Sequence, residues 1–399
     1  MSEAPPIAFV VQRYGPEITG GSESLARALA ERLAAEYRIT VFTTCARDYV
    51  TWRNELPEGR ECLSGVEVLR FRAEEERDIS SFNAFSEELY ARPRTEEEEL
   101  LWLRRQGPYV PRLLGELEAG KARFEAVLFF TYLYYPTYWG LQAAPERSIL
   151  VPTAHDEPPL RFGIYAKMFE LPRALAFLTR PEEALVRERF PLRGRPAVVA
   201  GMGVETPGAP DVTGFRARHR LPGPYALYAG RIDAGKGCAD MIASYERYRR
   251  ERGGAAELIL IGELSMPEPR LPGVRYLGFL PPEEKMAALA GARAVICPSP
   301  YESLSIVLLE GMSLGAPALA NARSAVLKDH CLRSNGGLFY EDANEFVEAL
   351  DLLVRDPRLQ GALGESGRAY VAENYRWEAV LARYRSLIAA VSSRPRKAS

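Results

Sequence analysis

The stretch "YAGRIDAGKG", residues 228–237, carries residue types that can hold phosphate groups. Glycine amides and a lysine cradle phosphates in the P-loop, whose pattern is G-x-x-x-x-G-K-[ST]. Gly230 and Lys236 fit that pattern. Gly237, however, has no hydroxyl for magnesium, and Arg231 lies inside the loop. Because no second acidic strand end of the Walker B kind is evident, we interpret the stretch as a different cradle, in which two cations replace the metal.

The segment "PSPYESLSIVLLEGMSLGAPALA", residues 298–320, adds two carboxylates at a fixed spacing. Glu302 and Glu310 bracket seven residues. The first is predicted in the turn after the strand "AVICP", and the second within a helix that Pro317 stops. This arrangement predicts one carboxylate at the mouth of a cleft and another that can accept hydrogen bonds from a vicinal diol.

Short apolar, β-branched runs alternate with helical patterns along the chain, which predicts buried parallel strands. The first series contains "IAFVV", "ITVFTT", "VEVLRF", "AVLFFTY", "SILVP" and "AVVAG", starting at residues 7, 39, 66, 126, 148 and 197. The second contains "YALYAG", "ELILIG", "VRYLG", "AVICP" and "PALA", starting at residues 225, 257, 274, 294 and 317. We expect a helix-like stretch after each strand of the second series, and Ser22 as the N-cap of the first helix of the chain.

Two successive series of this kind predict an α/β fold with two doubly wound, Rossmann-like domains facing each other across a cleft. The first domain is predicted at residues 1–204, with a charged helical excursion at about 73–120 whose charges form a solvated face. The second follows at residues 205–374, and the Pro/Gly-rich linker at 205–210 is the predicted hinge. The tail "SSRPRKAS" is predicted to be disordered.

Length and composition limit the class of protein. The 399 residues suffice for two domains, and 47% hydrophobic with 26% charged residues is the balance of a soluble globular protein. A formal charge of -2 gives no general attraction to nucleic acid, so no nucleic-acid partner is expected. The five cysteines form no C-x-x-C pair, and the apolar run at the N-terminus is too short for a signal peptide or a membrane span. We therefore expect a cytoplasmic protein, at most peripheral at the inner face of the membrane.

The two motifs in this order resemble the nucleotide-sugar domain of retaining GT-B glycosyltransferases, in particular family 4, with its "GR…KG" loop and E-x7-E element. The resemblance extends over nearly the whole chain. In the first domain, "GPEITGGSE" is similar to the Gly-Gly loop of that family, and "VPTAHDEP" resembles its histidine after a later strand. The segment "AGMGVETP" looks like its interdomain crossing. By the same resemblance, residues 375–399 form a C-terminal helix that crosses back to the first domain, followed by the tail.

The resemblance implies transfer of a sugar from a nucleotide diphosphate sugar to an acceptor hydroxyl with retention of anomeric configuration. Arg231 and Lys236 would hold the diphosphate, Glu310 the ribose hydroxyls and Glu302 the hydroxyls of the donor sugar. The implied catalytic residues are His155, Arg231, Lys236 and Glu302. The implied donor-binding residues are Gly20, Gly21, Gly230, Arg231, Lys236, Gly262, Glu302, Ser303, Leu304, Ser305 and Glu310. The chain departs from the family at Ser303 and Ser305, where glycines are common, and at Gly311, where alanine is common.

Several alternatives remain open at this stage. A sugar-nucleotide epimerase on a similar fold would need more acid and base groups than His155 alone, whereas a non-catalytic sugar-nucleotide binder would be expected to have lost Arg231, Lys236 or Glu302. A redox enzyme is disfavoured because the first strand is not followed by G-x-G-x-x-G. No cofactor or bound metal is implied beyond the nucleotide sugar. Its nucleotide is UDP, GDP or a diphosphate with another base. The acceptor (glycan, lipid-linked or small molecule) and the oligomeric state are left open.

Overall fold

The computed structural model describes residues 4–18, 20–205 and 208–392. The chain divides into two compact units: the first comprises residues 1–201 and 381–399, and the second comprises residues 202–380. The tail from residue 393, for which disorder is predicted, and residues 206 and 207 of the predicted hinge lie outside the described residues.

The described part of the first unit contains one eight-stranded sheet in which every neighbouring pair is parallel except the antiparallel pair at one edge. Its strands are β1 (Pro6–Val10), β2 (Arg38–Thr44), β3 (Gly59–Leu63), β4 (Val66–Phe71), β5 (Ala126–Phe130), β6 (Ser148–Val151), β7 (Ala174–Phe177) and β8 (Ala197–Val199). Their order is β3-β4-β2-β1-β5-β6-β7-β8, and β3 is the antiparallel edge strand. The six predicted strands are confirmed, and β3 and β7 are additional.

Helices cover the sheet of the first unit, since parallel strands need crossover connections. They are α1 (Gly21–Leu33), α2 (Ile79–Ala91), α3 (Glu96–Gln106), α4 (Pro111–Gly120), α5 (Tyr135–Ala143), α6 (Gly163–Met168) and α7 (Arg180–Arg189), with short 3-10 turns at 121–123, 145–147 and 158–161. The prediction of Ser22 as N-cap is wrong, because the N-cap of α1 is Gly20, two residues earlier. Ser22 Oγ instead lies 2.6 Å from Thr131 Oγ1.

The helical excursion consists of α2, α3 and α4, and its charges are only partly solvated. Glu96 and Glu97 are exposed, as predicted for a charged face. Glu99 is buried, accepts from Arg94 Nε at 3.0 Å and from the Ile164 N–H at 3.0 Å, and so ties α3 to α6. The acidic run therefore serves packing as well as solubility.

The described part of the second unit contains one six-stranded sheet with every neighbouring pair parallel. Its strands are β9 (Tyr225–Ala229), β10 (Glu257–Ile261), β11 (Val274–Tyr276), β12 (Ala294–Cys297), β13 (Ala318–Asn321) and β14 (Gly337–Tyr340), in the order β11-β10-β9-β12-β13-β14. Its helices are α8 (Val212–Arg218), α9 (Cys238–Arg252), α10 (Pro282–Ala290), α11 (Ile306–Ser313), α12 (Ala325–Ser334), α13 (Ala343–Arg355) and α14 (Pro357–Asn374).

The five predicted strands of this unit are confirmed, but the expectation of a helix after each is wrong for β10. Residues 262–273 connect β10 to β11 without a described helix. Pro267, Pro269 and Pro272 fall in this connection, and proline lacks the N–H that a helix interior requires. One further helix, α15 (Trp377–Val391), begins in the second unit, and its residues from Leu381 onward belong to the first.

Candidate functional site

The strand order of the second unit places the two sequence motifs side by side. Reversal of the order occurs between β9 and β12, which are the first and fourth strands of the unit. In doubly wound sheets, ligands bind outside the carboxyl ends of the strands at such a switch point. The loop with Arg231 and Lys236 directly follows β9, and the loop with Glu302 directly follows β12. The two loops therefore flank the point where a ligand is expected.

Close backbone packing shapes the first of these loops. Gly230 has φ 151° and Gly262 has φ 125°, values that side chains disfavour. A β-carbon on Gly262 would overlap the Gly230 carbonyl oxygen, so the loops after β9 and β10 can only pack this closely around a glycine. Beyond them, Ile232 N–H donates to the Glu263 carbonyl at 2.7 Å.

The two cations of the loop have carboxylate partners. Arg231 Nε donates to Asp233 Oδ2, and Lys236 Nζ donates to Glu302 Oε1 at 2.8 Å. Burial alone would raise the pKa of Asp233, but the hydrogen bonds from Arg231 and from the Lys236 N–H lower it below its ordinary value. The structure thus brings together Lys236 and Glu302, two residues that lie 66 positions apart in the sequence.

The second glutamate of the E-x7-E element also has a lysine partner. Glu310 lies in α11, and Lys285 Nζ of α10 lies 2.8 Å from its Oε1 and 2.7 Å from its Oε2. Both side chains are mostly buried, with 16% of Glu310 and 32% of Lys285 exposed. Lys285 was not predicted as a site residue, because it belongs to another element and no spacing relates it to Glu310.

The loop after β12 ends in an unusual backbone conformation. Ser305 has φ 63°, the left-handed region that non-glycine residues adopt rarely, and it is the N-cap of α11. Ser303 is half-buried, whereas the Leu304 side chain is buried, so a ligand could meet Leu304 only through its backbone. In the described residues, neither Ser305 nor Gly237, the N-cap of α9, makes a side-chain cap bond. The first N–H groups of α11 therefore receive no cap from Ser305 and can meet an anion, whereas the first N–H of α9, that of Cys238, donates to the Asp233 carbonyl at 3.3 Å.

In the first unit, the Gly-Gly stretch forms the start of α1. Gly20 is its N-cap with φ 150°, and a β-carbon there would overlap Glu23 Oε2. Glu23 accepts from Arg13 Nη2 at 2.5 Å and from Gln12 Nε2 at 3.0 Å in a buried ion-pair cluster. Gly21 has no atom within 4 Å of an added β-carbon, so it leaves room at this helix end.

His155 follows β6 and pairs with the carboxylate of Glu157. Its Nε2 lies 3.3 Å from Glu157 Oε2, and Tyr132 Oη donates to Glu157 Oε1 at 2.7 Å. Burial alone would lower the pKa of His155, but the hydrogen bond and charge of Glu157 raise it above its ordinary value. The preceding residue, Ala154, donates its N–H to Glu182 Oε1 at 2.7 Å.

Glu182 is a buried group that sequence reasoning missed. Only 1% of it is exposed, and burial raises its pKa to about 7 against the lowering effect of the Leu178 and Ala154 N–H groups. Its two oxygens accept from these two N–H groups at 2.6 and 2.7 Å. Glu182 therefore fixes the backbone directly before His155.

Residues 214–370 match the family described as Glycosyl transferases group 1. The match lies within the second unit. The matched residues include β9 to β14 and hence both loops at the switch point. Glycogen synthase of Mycobacterium tuberculosis is 28% identical over 178 residues, which are 42% of each chain. The chain thus spans less than half the length of this curated relative.

Solved structures similar to the whole chain show its fold. Sucrose-phosphate synthase from Thermosynechococcus elongatus aligns with a TM-score of 0.70 at 20% identity, covering 97% of this chain and 100% of the other. HepE from Anabaena, solved in complex with UDP and glucose, aligns with a TM-score of 0.69 at 12% identity over 97% and 100% of the two chains. The chain has the GT-B fold, and the predicted fold class is confirmed.

Within the described ranges, each helix is too short or too polar to traverse a lipid bilayer.

Proposed function

We propose that the protein is a retaining glycosyltransferase of family 4, which moves a sugar from a nucleotide diphosphate sugar to an acceptor hydroxyl. The observation that carries this proposal is the placement of two cations and Glu302 on the loops that flank the switch point of the second unit, with Glu310 in the helix that follows. The group 1 match of that unit and the relatives' names support it. The structural neighbour bound to UDP and glucose supports a nucleotide-sugar donor.

The proposed chemistry assigns the diphosphate to Arg231, Lys236 and the N-terminal ends of α9 and α11. The bond between the anomeric carbon and the diphosphate oxygen breaks, and its electron pair goes to the leaving phosphate. Cations placed where this negative charge develops stabilise the transition state. The acceptor oxygen then bonds to the anomeric carbon on the face that the leaving group vacates, and its proton passes to the leaving phosphate.

Donor binding must replace two ion pairs of the site, Arg231 with Asp233 and Lys236 with Glu302, by contacts with the diphosphate. Arg231 and Lys236 are 40% and 35% exposed, and such solvent-accessible pairs contribute only about 0–1 kcal/mol. A diphosphate can therefore replace Asp233 and Glu302 as their partner at little expense. Release of Lys236 frees Glu302 to accept from hydroxyls of the donor sugar, and Glu310 accepts from the ribose.

The residues of the first unit complete the proposal. His155 is assigned to the reaction centre beside the transferred sugar, and Gly20 and Gly21 to close backbone approach by donor phosphates or acceptor. Domain limits of 1–204, 205–374 and 375–399 belong to the same proposal, as do cytoplasmic location and independence of metal ions. The donor is a UDP, GDP or other nucleotide sugar, and the acceptor is a glycan, a lipid-linked sugar or a small molecule.

A thermal-shift panel tests the proposal. UDP, GDP and ADP are compared with the corresponding monophosphates, since a ligand at about one hundred times its Kd adds about 2.7 kcal/mol of stability. We expect one diphosphate to raise Tm more than its monophosphate does. The nucleotide sugar of that base is then incubated with candidate acceptors, and NMR of the product anomeric proton reports the configuration. A panel without any stabilising diphosphate contradicts the proposal, and epimerised donor without transfer indicates a sugar-nucleotide epimerase.

A further inference from the structure

His330 is a buried imidazole that the proposed chemistry does not use. It lies in α12 with 1% of its surface exposed. Its Nε2 is 3.0 Å from the carbonyl oxygen of Leu304, and its Nδ1 is 3.0 Å from Tyr370 Oη. The contact with Leu304 places it directly against the loop that carries Glu302 and the left-handed Ser305.

The protons of this contact can be assigned from the chemistry of the groups. A carbonyl oxygen only accepts, so His330 Nε2–H is the donor to Leu304. Burial lowers the pKa of His330 to about 4, although the bond to Leu304 acts in the opposite direction, so the ring is neutral at physiological pH. A neutral imidazole has one N–H, and Nδ1 must therefore accept from Tyr370 Oη–H.

The hydrogen bonds continue from Tyr370 to the end of α14. With its own proton committed to His330, Tyr370 Oη can accept from Arg333 Nη1 at 3.2 Å and from Tyr375 Oη at 3.4 Å. The Tyr375 carbonyl in turn accepts from the Val204 N–H at 2.8 Å. Val204 lies close to the start of the second unit, and Tyr375 close to its end. The relay thus runs from the loop after β12 to the two chain segments at the limits of the unit.

We propose that His330 is a positioning residue for the loop after β12. Its Nε2–H fixes the Leu304 carbonyl, and Tyr370 sets the imidazole tautomer that carries this proton. A left-handed serine persists only where its surroundings over-determine it, and the His330 bond one residue earlier supplies such a constraint. Because the first N–H groups of α11 follow Ser305, loss of the bond would misplace the anion-binding end of that helix. The inference rests on the proposed function, in which this loop binds the donor.

The test compares three variants with a matched control. His330→Leu removes both hydrogen bonds of the imidazole, and His330→Gln retains an amide donor for Leu304. Tyr370→Phe leaves the bond to Leu304 but removes the hydroxyl that donates to Nδ1 and accepts from Arg333 and Tyr375. Leu353→Ala is the control, because Leu353 is fully buried in the core of the same unit and makes no side-chain hydrogen bond. Tm, the Kd for UDP (or for the diphosphate that the panel selects) and hydrogen exchange of the peptide over residues 302–309 are measured for each.

We expect His330→Leu to weaken diphosphate binding about ten-fold, the scale of losing one buried hydrogen bond. Tyr370→Phe should act in the same direction, His330→Gln should restore most of the affinity, and Leu353→Ala should lower Tm without changing Kd. Equal Kd values for His330→Leu and Leu353→Ala overturn the positioning role. If no diphosphate binds even the unmodified protein, the proposed function fails but hydrogen exchange still decides: selectively faster exchange at 302–309 in His330→Leu supports the positioning role, and uniform acceleration overturns it.

Discussion

Each glutamate of the E-x7-E element is paired with a lysine from another element. Lys236 of the loop after β9 holds Glu302, and Lys285 of α10 holds Glu310, both at 2.8 Å. A carboxylate offers about four lone-pair sites, so Glu310 retains capacity for ligand hydroxyls while Lys285 fixes its orientation. The lysines therefore differ in their expected effects: Lys236 meets the diphosphate itself, whereas Lys285 acts through Glu310.

Removal of a cradle cation should slow turnover. We expect Arg231→Ala and Lys236→Ala each to lower kcat about 10²-fold or more, because each removes a positive charge from the place where the leaving phosphate becomes more negative. Initial rates with saturating donor measure the effect. Circular dichroism and Tm provide the control for folding, and wild-type turnover in both variants would show that the cradle is assigned to the wrong residues.

Lys285→Met should weaken recognition of the ribose. In the unmodified protein, 2′-deoxy-UDP or 3′-deoxy-UDP should bind about ten-fold less tightly than UDP, the scale of one hydrogen bond to a charged group. In Lys285→Met this penalty should shrink, because Glu310 no longer has a fixed orientation. Isothermal titration calorimetry of UDP and a deoxy analogue with the unmodified protein and with Lys285→Met gives the coupling free energy between Lys285 and the ribose hydroxyl. Lys285→Arg is the charge-retaining control. An unchanged penalty in Lys285→Met means that Lys285 does not act through Glu310.

Activity should not require a divalent ion. Two cations stand at the loop where a P-loop would place magnesium, so we expect turnover to survive chelation by EDTA. Rates with EDTA and with added Mg²⁺ or Mn²⁺ are compared after removal of metal from the buffers. Full loss of activity in EDTA, restored only by a divalent ion, contradicts this prediction.

The sequence motifs predicted part of the candidate site in the second unit. The residues that sequence motifs name, such as Arg231 and Glu302, follow strands that meet at the switch point, and strand order brings them near each other. Their partners Asp233, Lys285 and His330 could not be predicted. Pairing between side chains on different elements depends on packing distances, and those leave no periodic signal in the sequence.

At the scale of elements, glycine decides how closely α9 can approach the loop after β12. Gly237 has φ 75°, and a β-carbon there would overlap the Pro298 carbonyl oxygen. We expect Gly237→Ala to lower the free energy of unfolding by roughly 1–3 kcal/mol and to weaken diphosphate binding. The added β-carbon would strain the backbone at residue 237 and displace the loop that carries Lys236. The control is Gly361→Ala in α14, where an added β-carbon meets nothing and helix propensity favours alanine by up to about 1 kcal/mol. Urea unfolding and nucleotide titration measure both, and two variants of equal stability contradict the steric argument.

The strands that sequence analysis missed lack a long, continuous apolar run. The edge strand β3 has mainly polar and exposed residues, so it lacks the continuous apolar run that marks a buried strand. β7 and β14 have only four residues each, and short apolar runs cannot be told apart from helix segments by periodicity. Some predicted strands have longer apolar runs, such as "ELILI" of β10, but β8 and β11 have only three residues each.

At the scale of the whole molecule, α15 supplies part of the core of the first unit. Beyond the boundary at Leu381, its residues Tyr384, Ile388 and Val391 are buried, and Arg385 pairs with Glu36. Each large buried side chain contributes about 1.5–3 kcal/mol, so losing several approaches the unfolding free energy of a domain, about 5–15 kcal/mol.

Deletion of residues 381–399 should therefore unfold the first unit and leave the second folded. Hydrogen exchange followed by mass spectrometry distinguishes the units by their peptides, and deletion of residues 393–399 alone is the control. Protection that persists in peptides of β1 and β2 after the longer deletion would show that α15 is dispensable for this unit.

The division of the first unit between the two ends of the chain has a consequence for its synthesis. The second unit is continuous, so it can reach its native structure as soon as the ribosome has released residue 380. The first unit begins to emerge earlier, but it lacks the buried residues of α15 until residues 381–391 have been synthesised. Although domains generally fold from the N-terminus onward during synthesis, here the N-terminal sheet must wait. While it waits, its apolar surface is exposed to chaperones and to neighbouring nascent chains.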